Sequence, residues 1–264
     1  MTDGSVAIGA TVRAGVAGLG PSVRACWGAL LVAVVLSVVS RQLPPGLGLV
    51  ALLGEIAAVA LACGALYRNA FGRASGLAGL RWGQDEWRLL GVQALVGVFL
   101  FVVATVLLLV VGAIALGVAR ANAPGFDATS SQAWQDALAG SGPGTLVAGA
   151  APLVGLGLLI WLGLRLSLAA AASVDQSGVR VLSAFPLTRG ASLQVFVAGL
   201  VLAAPIAGLM AVLNLLGRWT GPGLDGGLAA FCAIFGYVYL APVWTSALVH
   251  VYRQRQPAAP LQEV

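Results

Sequence analysis

Residues 89–119 read LLGVQALVGVFLFVVATVLLLVVGAIALGVA, and this stretch contains no charged residue. In hydrocarbon the backbone N–H and C=O groups have no water to bind, so such a run is expected to form an α-helix, which pairs these groups internally. At 1.5 Å per residue the run extends roughly 46 Å, whereas the core of a bilayer is about 30 Å thick. The sequence therefore predicts a spanning helix whose N-terminal part lies along the membrane interface or projects from the membrane.

The composition of the whole chain also indicates a location in the membrane. Of its 264 residues, 59% are hydrophobic and 9% are charged, and the mean hydropathy is +0.97. A soluble domain carries roughly 25% charged residues, so a water-soluble fold is excluded. The net charge of +5 does not indicate a nucleic-acid partner, because the arginines are scattered at the ends of apolar runs instead of being collected on one face.

Six stretches of the chain are apolar and long enough, or nearly so, to cross a bilayer as helices. Turn sequences rich in Gly and Pro separate several of them, as at residues 43–46 and 221–223. The predicted spans are residues 24–41, 46–67, 91–118, 145–165, 194–217 and 227–251. The predicted fold class is an all-α membrane protein with six transmembrane helices, and residues 1–264 are predicted to form a single polytopic membrane domain.

The distribution of arginine predicts how the chain is threaded. All fourteen basic residues are arginine, and the cytoplasmic loops of membrane proteins carry an excess of positive residues. With the N-terminus inside, eleven arginines fall on the cytoplasmic side, and Arg41, Arg120 and Arg218 fall outside. Both termini are therefore predicted to be cytoplasmic.

The second, fourth and sixth spans end in a similar way on the predicted cytoplasmic side. Their endings are GALYR (64–68), LGLR (162–165) and VHVYR (249–253). Each brings an arginine to the headgroup region, and two add a tyrosine, whose ring suits the interface. Short amphipathic lead-in helices at the interface are predicted before the following spans, so the chain resembles three hairpin repeats. The alternative, that any inward exit attracts Arg and Tyr, stays open. The predicted headgroup contacts are Arg68, Arg165, Arg189 and Arg253.

Three stretches beside these spans carry a resemblance to known proteins. They are GALYRNAFG (64–72), GLRWGQDEWRLLGV (79–92) and LRLSLAAAASVDQSGVRVLSAFPLTRGASLQVF (164–196). These stretches resemble a class of bacterial integral membrane proteins related to the membrane domain of glycerophosphodiester phosphodiesterases. The resemblance covers most of the chain, and its motifs are short.

In that class an Arg-Leu-Ser-Leu-Ala stretch, here residues 165–169, is followed by an aliphatic helix and a Leu-Thr-Arg-Gly turn, here residues 187–190. The chain departs from the class at Ala170, where proline is common, and at residues 184–185, where a tryptophan is usually near. The resemblance implies a multi-pass protein of the bacterial cytoplasmic (inner) membrane, without an attached catalytic domain and of largely undefined role.

Glu55 is the charged residue that the sequence places nearest the middle of a span. Such a charge is costly in hydrocarbon, so the carboxyl group is expected to be protonated, paired or facing a wet cavity. A functional interpretation is an ion or proton relay, or a contact with a polar ligand, in a candidate intramembrane polar site of Glu55, Gln93 and Asn214. A structural interpretation is a neutral carboxyl group bonded to a backbone carbonyl or to Asn214.

The sequence contains no catalytic, cofactor-binding or metal-binding constellation. The lone His250 has no second histidine or carboxylate at the spacing of metal ligands, and residues 221–227 are Gly-rich but lack the Lys and Ser/Thr of a phosphate loop. We therefore predict no enzymatic activity and no cofactor.

Two functions compete on this basis. The first is a non-enzymatic inner-membrane module that associates with membrane lipids, with a membrane-protein partner or with further copies of itself. The alternative is a small-molecule or ion transporter that uses Glu55 and helices kinked by Pro152, Pro205 and Pro242.

Overall fold

The computed structural model describes residues 7–73, 76–123, 125–139, 142–182, 184–220 and 225–256. Helices form nearly all of this part of the chain, and an isolated bridge joins Leu77 to Leu80. The α-helices of the described residues are α1 (Ile8–Gln42), α2 (Gly48–Ala70), α3 (Gln84–Asn122), α4 (Ser131–Leu138), α5 (Pro143–Leu166), α6 (Ala169–Asp175), α7 (Ala184–Leu187), α8 (Ser192–Thr220), α9 (Asp225–Ile234) and α10 (Ala241–Arg255).

Six helical segments are long and apolar enough to cross a membrane, which confirms the predicted fold class. The protein is an all-α, multi-pass membrane protein. The candidate spans are Ile8–Gln42, Pro45–Ala70, Gln84–Asn122, Pro143–Asp175, Ser192–Val212 and Ala230–Arg255.

The predicted lead-in helices differ from one span to the next. Ahead of the first span, the lead-in is the opening part of α1, and a kink with non-helical backbone angles at Cys26 (φ −118°, ψ 15°) divides it from the rest of the helix. Ahead of the third span, the lead-in is the opening part of α3. Two short helices, α6 and α7, precede α8. The position of these segments at the membrane interface and the repeat of three hairpins stay predictions.

The chain divides into two compact units. One unit takes in residues 1–93 and 165–264, and the other takes in residues 94–164. In the first unit α1 packs along α2 and α10, and its core consists largely of small side chains that allow close approach of the helices. The buried residues between α1 and α2 are Cys26, Ala29, Leu30, Ala33, Ala58, Leu61, Ala62, Ala65 and Leu66.

The second unit contains the long apolar part of α3, together with α4 and most of α5. The most apolar window of α3 contains no buried residue, as expected for a helix whose side chains meet lipid. In the loop between α3 and α5, the short helix α4 is capped by Ser130, whose side chain accepts a hydrogen bond from the Ala133 amide at 3.3 Å. In the same loop, hydrogen bonds from the backbone and hydroxyl groups of Thr129 lower the pKa of the Asp127 carboxyl group.

The three prolines of the later spans have different positions. Pro152 and Pro205 lie inside α5 and α8, as predicted. Pro242 is the second residue of α10, which continues directly from a π-helical segment, Phe235–Leu240, so this proline also lies inside a candidate span, Ala230–Arg255. In the first unit, the hydroxyl of Tyr239 from this segment donates to the Leu202 carbonyl at 3.2 Å.

Candidate functional site

The link between α2 and α3 is fixed against a distortion in α1. Cys26 has non-helical backbone angles (φ −118°, ψ 15°), so the amides that follow it lack their usual partners within the helix. The Ala78 carbonyl of the link accepts from the amides of Gly28 and Ala29, at 3.1 and 3.2 Å. Gly79 has φ +81° and lies so close to α1 that a Cβ atom would come 3.0 Å from the Cα of Cys26. The link is therefore held in one path by backbone contacts that only glycine permits at this position.

Arg68, near the end of α2, holds the link from the other side. Its Nη2 donates to the carbonyls of Gly79 and Arg81, at 3.1 and 3.2 Å. Its Nη1 pairs with the carboxylate of Glu86 in the first turn of α3, and the two side chains are 3% and 0% exposed. A buried arginine cannot contact a headgroup, so the prediction of Arg68 as a headgroup contact is wrong. The reason is that a buried acid of α3 draws the guanidinium inward.

Glu86 also caps α3. The helix begins at Gln84, and the carboxylate of Glu86 accepts from the amide of Gly83 at 2.8 Å, which is the backward reach of a capping box. The cap comes from this residue instead of Asp85, whose carboxylate is engaged elsewhere. One side chain therefore fixes both the start of α3 and the end of α2.

Asp85 forms ion pairs with two further arginines. Its Oδ1 accepts from Arg73 Nη1 and from Arg88 Nη1, both at 3.1 Å. Arg73 Nη2 also donates to the Asp175 carbonyl at 3.0 Å and to the Ser177 hydroxyl at 3.1 Å. These bonds tie the link after α2 to the loop after α6.

The four arginines of this region line one cavity of about 650 Å³. Arg81 is exposed to solvent, and it joins Arg68, Arg73 and Arg88 around the opening. The carboxylates in the lining are Asp85 and Glu86, so four cations face two anions. The remaining lining residues are Trp82, Gly83, Gln84 and Ser177. An excess of fixed positive charge in a concave site suits an anionic ligand that presents several oxygen acceptors.

Exposed apolar side chains lie beside the cavity. Trp82 and Trp87 form an edge-to-face pair with ring centroids 5.8 Å apart. The Trp87 side chain is 65% exposed, and Leu77 of the link is 87% exposed. Tryptophan next to arginine at the end of a spanning helix is typical of the border between hydrocarbon and headgroups.

The Tyr-Arg endings of α2 and α10 meet within the first unit. Arg253 donates to the Ala70 carbonyl at 2.6 Å, and its guanidinium lies 5.8 Å from the ring centre of Phe71. The Tyr252 ring is buried against Phe71, and its hydroxyl donates to Asp175 at 2.9 Å. Tyr67 is buried as well. The interpretation of these tyrosines as rings in the headgroup layer is therefore wrong, because both pack inside the protein.

The other predicted headgroup contacts are more accessible. Arg165 is half-buried and donates to the Phe185 carbonyl at 3.2 Å. Arg189 and Arg253 are exposed. Contact of these three side chains with headgroups stays a prediction.

No family model, curated protein or solved structure matches this chain. The resemblance to membrane domains of glycerophosphodiester phosphodiesterases stays a prediction.

Glu55 is paired with α1. Its carboxylate accepts from the Ser37 hydroxyl at 3.0 Å and from Arg41 Nε at 2.8 Å, and the Arg41 and Glu55 side chains are 47% and 29% exposed. Of the two predicted neighbours, Gln93 is half-buried in α3, and Asn214 is in α8 with its side chain outside the described part of the chain. The paired state is thus the one observed, and the bonds of the carboxylate go to α1.

We expect substitution of Glu55 and substitution of Arg41 to lower the stability of the protein by unequal amounts. Glu55→Gln keeps an oxygen that can accept from Ser37 and Arg41, so it is expected to cost about 1 kcal/mol or less. Arg41→Leu leaves a carboxylate beside hydrocarbon without its cation, and about 2–3 kcal/mol is expected. Thermal unfolding of the detergent-purified variants measures both, and a combined Arg41→Leu/Glu55→Gln variant should recover most of the loss. A larger loss in Glu55→Gln than in Arg41→Leu would contradict the pairing.

Sequence reasoning missed most of the cavity. Arg73, Arg81, Arg88 and Glu86 were not candidates, because each arginine counts equally toward orientation wherever its side chain points. One available signal was their density, since residues 68–88 contain four arginines, two acids and two tryptophans between two spans. Among the described residues, no group of three or more His, Cys, Asp or Glu side chains is arranged to hold a metal ion.

Proposed function

We propose that the protein is a non-enzymatic integral protein of the bacterial cytoplasmic membrane, with both termini in the cytoplasm, and that its arginine-lined cavity binds the headgroup of an anionic lipid. The observation that carries the proposal is the cavity between α2 and α3, with four guanidinium groups facing two carboxylates. On the predicted threading this link lies on the cytoplasmic side, where anionic headgroups attract basic segments.

The form of the site supports binding more than simple surface attraction. Arg68 and Glu86 are buried, and Asp85 holds Arg73 and Arg88 in place through its Oδ1. Side chains that are already held in place lose little conformational freedom when a ligand arrives, which favours affinity. Arginine also offers its N–H groups as a planar fork that matches two oxygens of a phosphate.

The position of the site favours a lipid as the source of the anion. Trp82 lines the cavity, and the exposed Trp87 and Leu77 lie on the same link and the adjoining turn of α3. An apolar rim beside a cationic cavity fits a molecule that carries acyl chains next to its phosphate. A membrane-protein partner or a second copy bound at this surface would appear as an added mass in native mass spectrometry of the extracted protein.

Transport through Glu55 stays the alternative. A relay would require the carboxylate to exchange its partners, and here Ser37 and Arg41 hold both of its oxygens. Charge neutralisation by Arg41 also reduces the attraction of this site for a cation. The arginine-lined cavity has stronger support as the functional site.

Lipid titration tests the proposal. Detergent-purified protein is titrated with short-chain phosphatidylglycerol or with phosphatidylcholine of the same acyl chains, and binding is followed by intrinsic tryptophan fluorescence, to which Trp82 and Trp87 contribute. We expect the anionic lipid to bind at least tenfold more tightly. Arg81→Gln/Arg88→Gln is expected to remove most of this difference, because each lost cation costs about a kcal/mol in a partly screened site.

The matched control is Arg120→Gln, which removes an exposed arginine at the far end of α3. It should leave the preference for phosphatidylglycerol unchanged. Equal binding of the two lipids by the natural protein, or an equal loss in the Arg120 variant, would overturn the proposal.

A further inference from the structure

We infer, on the basis of the proposed function, that the cavity between α2 and α3 selects a phosphomonoester, meaning a phosphate joined to the rest of its ligand by one ester bond. Ordinary anionic headgroups carry a phosphodiester instead. The two groups differ in charge and in the number of free oxygens. Both differences bear on the arrangement of the four arginines.

The charge balance of the lining matches a dianion. Arg68, Arg73, Arg81 and Arg88 face Asp85 and Glu86, which leaves two positive charges without a counter-charge in the lining. A phosphodiester supplies one negative charge, whereas a phosphomonoester supplies nearly two at neutral pH. The second negative charge of a phosphomonoester is therefore attracted by a cation that has no counter-charge in the lining.

The donors of the lining come from several places in the chain. Arg73 and Arg88 both donate to Asp85 Oδ1, and Arg81 is an exposed residue of the lining. Arg68 adds its charge to the lining, while its buried guanidinium group stays with Glu86 and the carbonyls of Gly79 and Arg81. A phosphomonoester has three terminal oxygens with which to accept from several directions, whereas a phosphodiester has two.

The preference should depend on pH through the ligand. The second ionisation of a phosphomonoester has a pKa of about 6, so raising the pH from 5 to 7.5 adds a negative charge to this ligand and none to a phosphodiester. Arginine keeps its charge throughout this range. Asp85 and Glu86 are each ion-paired in the lining, and Asp175, which meets Arg73 through its backbone, has its carboxylate bonded to Tyr252 and Gln256. The only histidine of the sequence, His250, contacts Gln254 on α10 and does not line the cavity.

The experiment compares phosphatidate with phosphatidylglycerol of the same acyl chains, using the full chain in detergent at pH 7.5 and pH 5. We expect phosphatidate to bind roughly tenfold more tightly at pH 7.5, the effect of one additional charge pair. The preference should fall to within about threefold at pH 5, because the monoester then loses its second charge. The phosphatidylglycerol arm corrects for any titration of the protein itself.

Two variants and one soluble ligand complete the test. Arg81→Gln should reduce the preference at pH 7.5 with the protein still folded, because Arg81 is exposed; Arg120→Gln should keep it. Glycerol 3-phosphate shows the source of the group: binding much weaker than that of phosphatidate supports a lipid, and equal binding overturns the lipid source. Equal affinity for phosphatidate and phosphatidylglycerol at pH 7.5 would overturn the inference and leave the proposed function standing. Failure of both lipids to bind would overturn the two together.

Discussion

Arg68→Ala is expected to destabilise the protein by about 3–5 kcal/mol, because it leaves the buried carboxylate of Glu86 without its cation. The carbonyls of Gly79 and Arg81 lose a donor in the same step. Glu86→Ala should be similarly severe, since it strands the guanidinium and removes the cap on Gly83. The thermal unfolding midpoint of the purified protein in detergent should fall by roughly 10 °C in either variant.

Arg120→Ala provides the matched comparison, because it removes an exposed arginine from a helix end. A change within about 0.5 kcal/mol is expected there. The combined variant Arg68→Met/Glu86→Leu replaces both charges by apolar groups and should be less damaging than the two single losses added together. Midpoints of Arg68→Ala and Glu86→Ala equal to that of Arg120→Ala would show that the buried pair does not hold the link.

Gly79→Val is expected to cost about 2–5 kcal/mol and to loosen the cavity. The residue has φ +81°, where a β-branched side chain is strained by roughly 1–2 kcal/mol. Its new Cβ would also lie 3.0 Å from the Cα of Cys26, and backbone cannot move aside as a flexible side chain can. Thermal unfolding measures the loss of stability, and limited proteolysis of the link between α2 and α3 measures the loosening.

Gly72→Val shows how much of the effect of Gly79→Val comes from backbone strain and how much from packing against α1. Gly72 has φ +67°, and no atom lies within 4 Å of where its Cβ would be, so only the backbone strain of about 1–2 kcal/mol is expected. The difference between the two variants then reports the contact of the link with α1. If the two substitutions cost the same, the link does not pack against Cys26 as described.

The fold class was predictable because one physical condition dominates it. A charge-free run such as residues 89–119 has to be a helix in hydrocarbon, and six such runs decide the architecture. The same condition does not decide at which residue each helix begins or ends. Gln84 begins α3 several residues ahead of the apolar run, since Glu86 supplies a cap that hydropathy does not register.

The interior of the site was not predictable from local patterns. An arginine at the end of a span has the same sequence signature whether it faces headgroups, as predicted for Arg189, or pairs with a buried acid, as Arg68 does. The difference depends on the path of the link, which follows from the distortion at Cys26 and the positive φ of Gly79. Neither feature has a distinctive sequence around it.

The partners of Glu55 could have been predicted from the sequence more readily. Ser37 and Arg41 are four residues apart on α1, and only a short link separates the end of α1 from the start of α2. Residues four apart share one face of a helix, so a carboxylate two turns into α2 was in range of both. The prediction named pairing as one of three outcomes for the carboxyl group. A comparison of the face of α1 that carries Ser37 and Arg41 with the position of Glu55 on α2 would have favoured it.

Native mass spectrometry of gently extracted protein tests the central claim most directly, because it identifies the lipids that remain bound. We expect the natural protein to retain an anionic, phosphate-bearing lipid, the Arg120→Gln variant to retain it equally, and the Arg81→Gln/Arg88→Gln variant to lose it. Retention of the same lipids by all three proteins, or of zwitterionic lipids alone, would contradict the assignment of the arginine-lined cavity as a headgroup site.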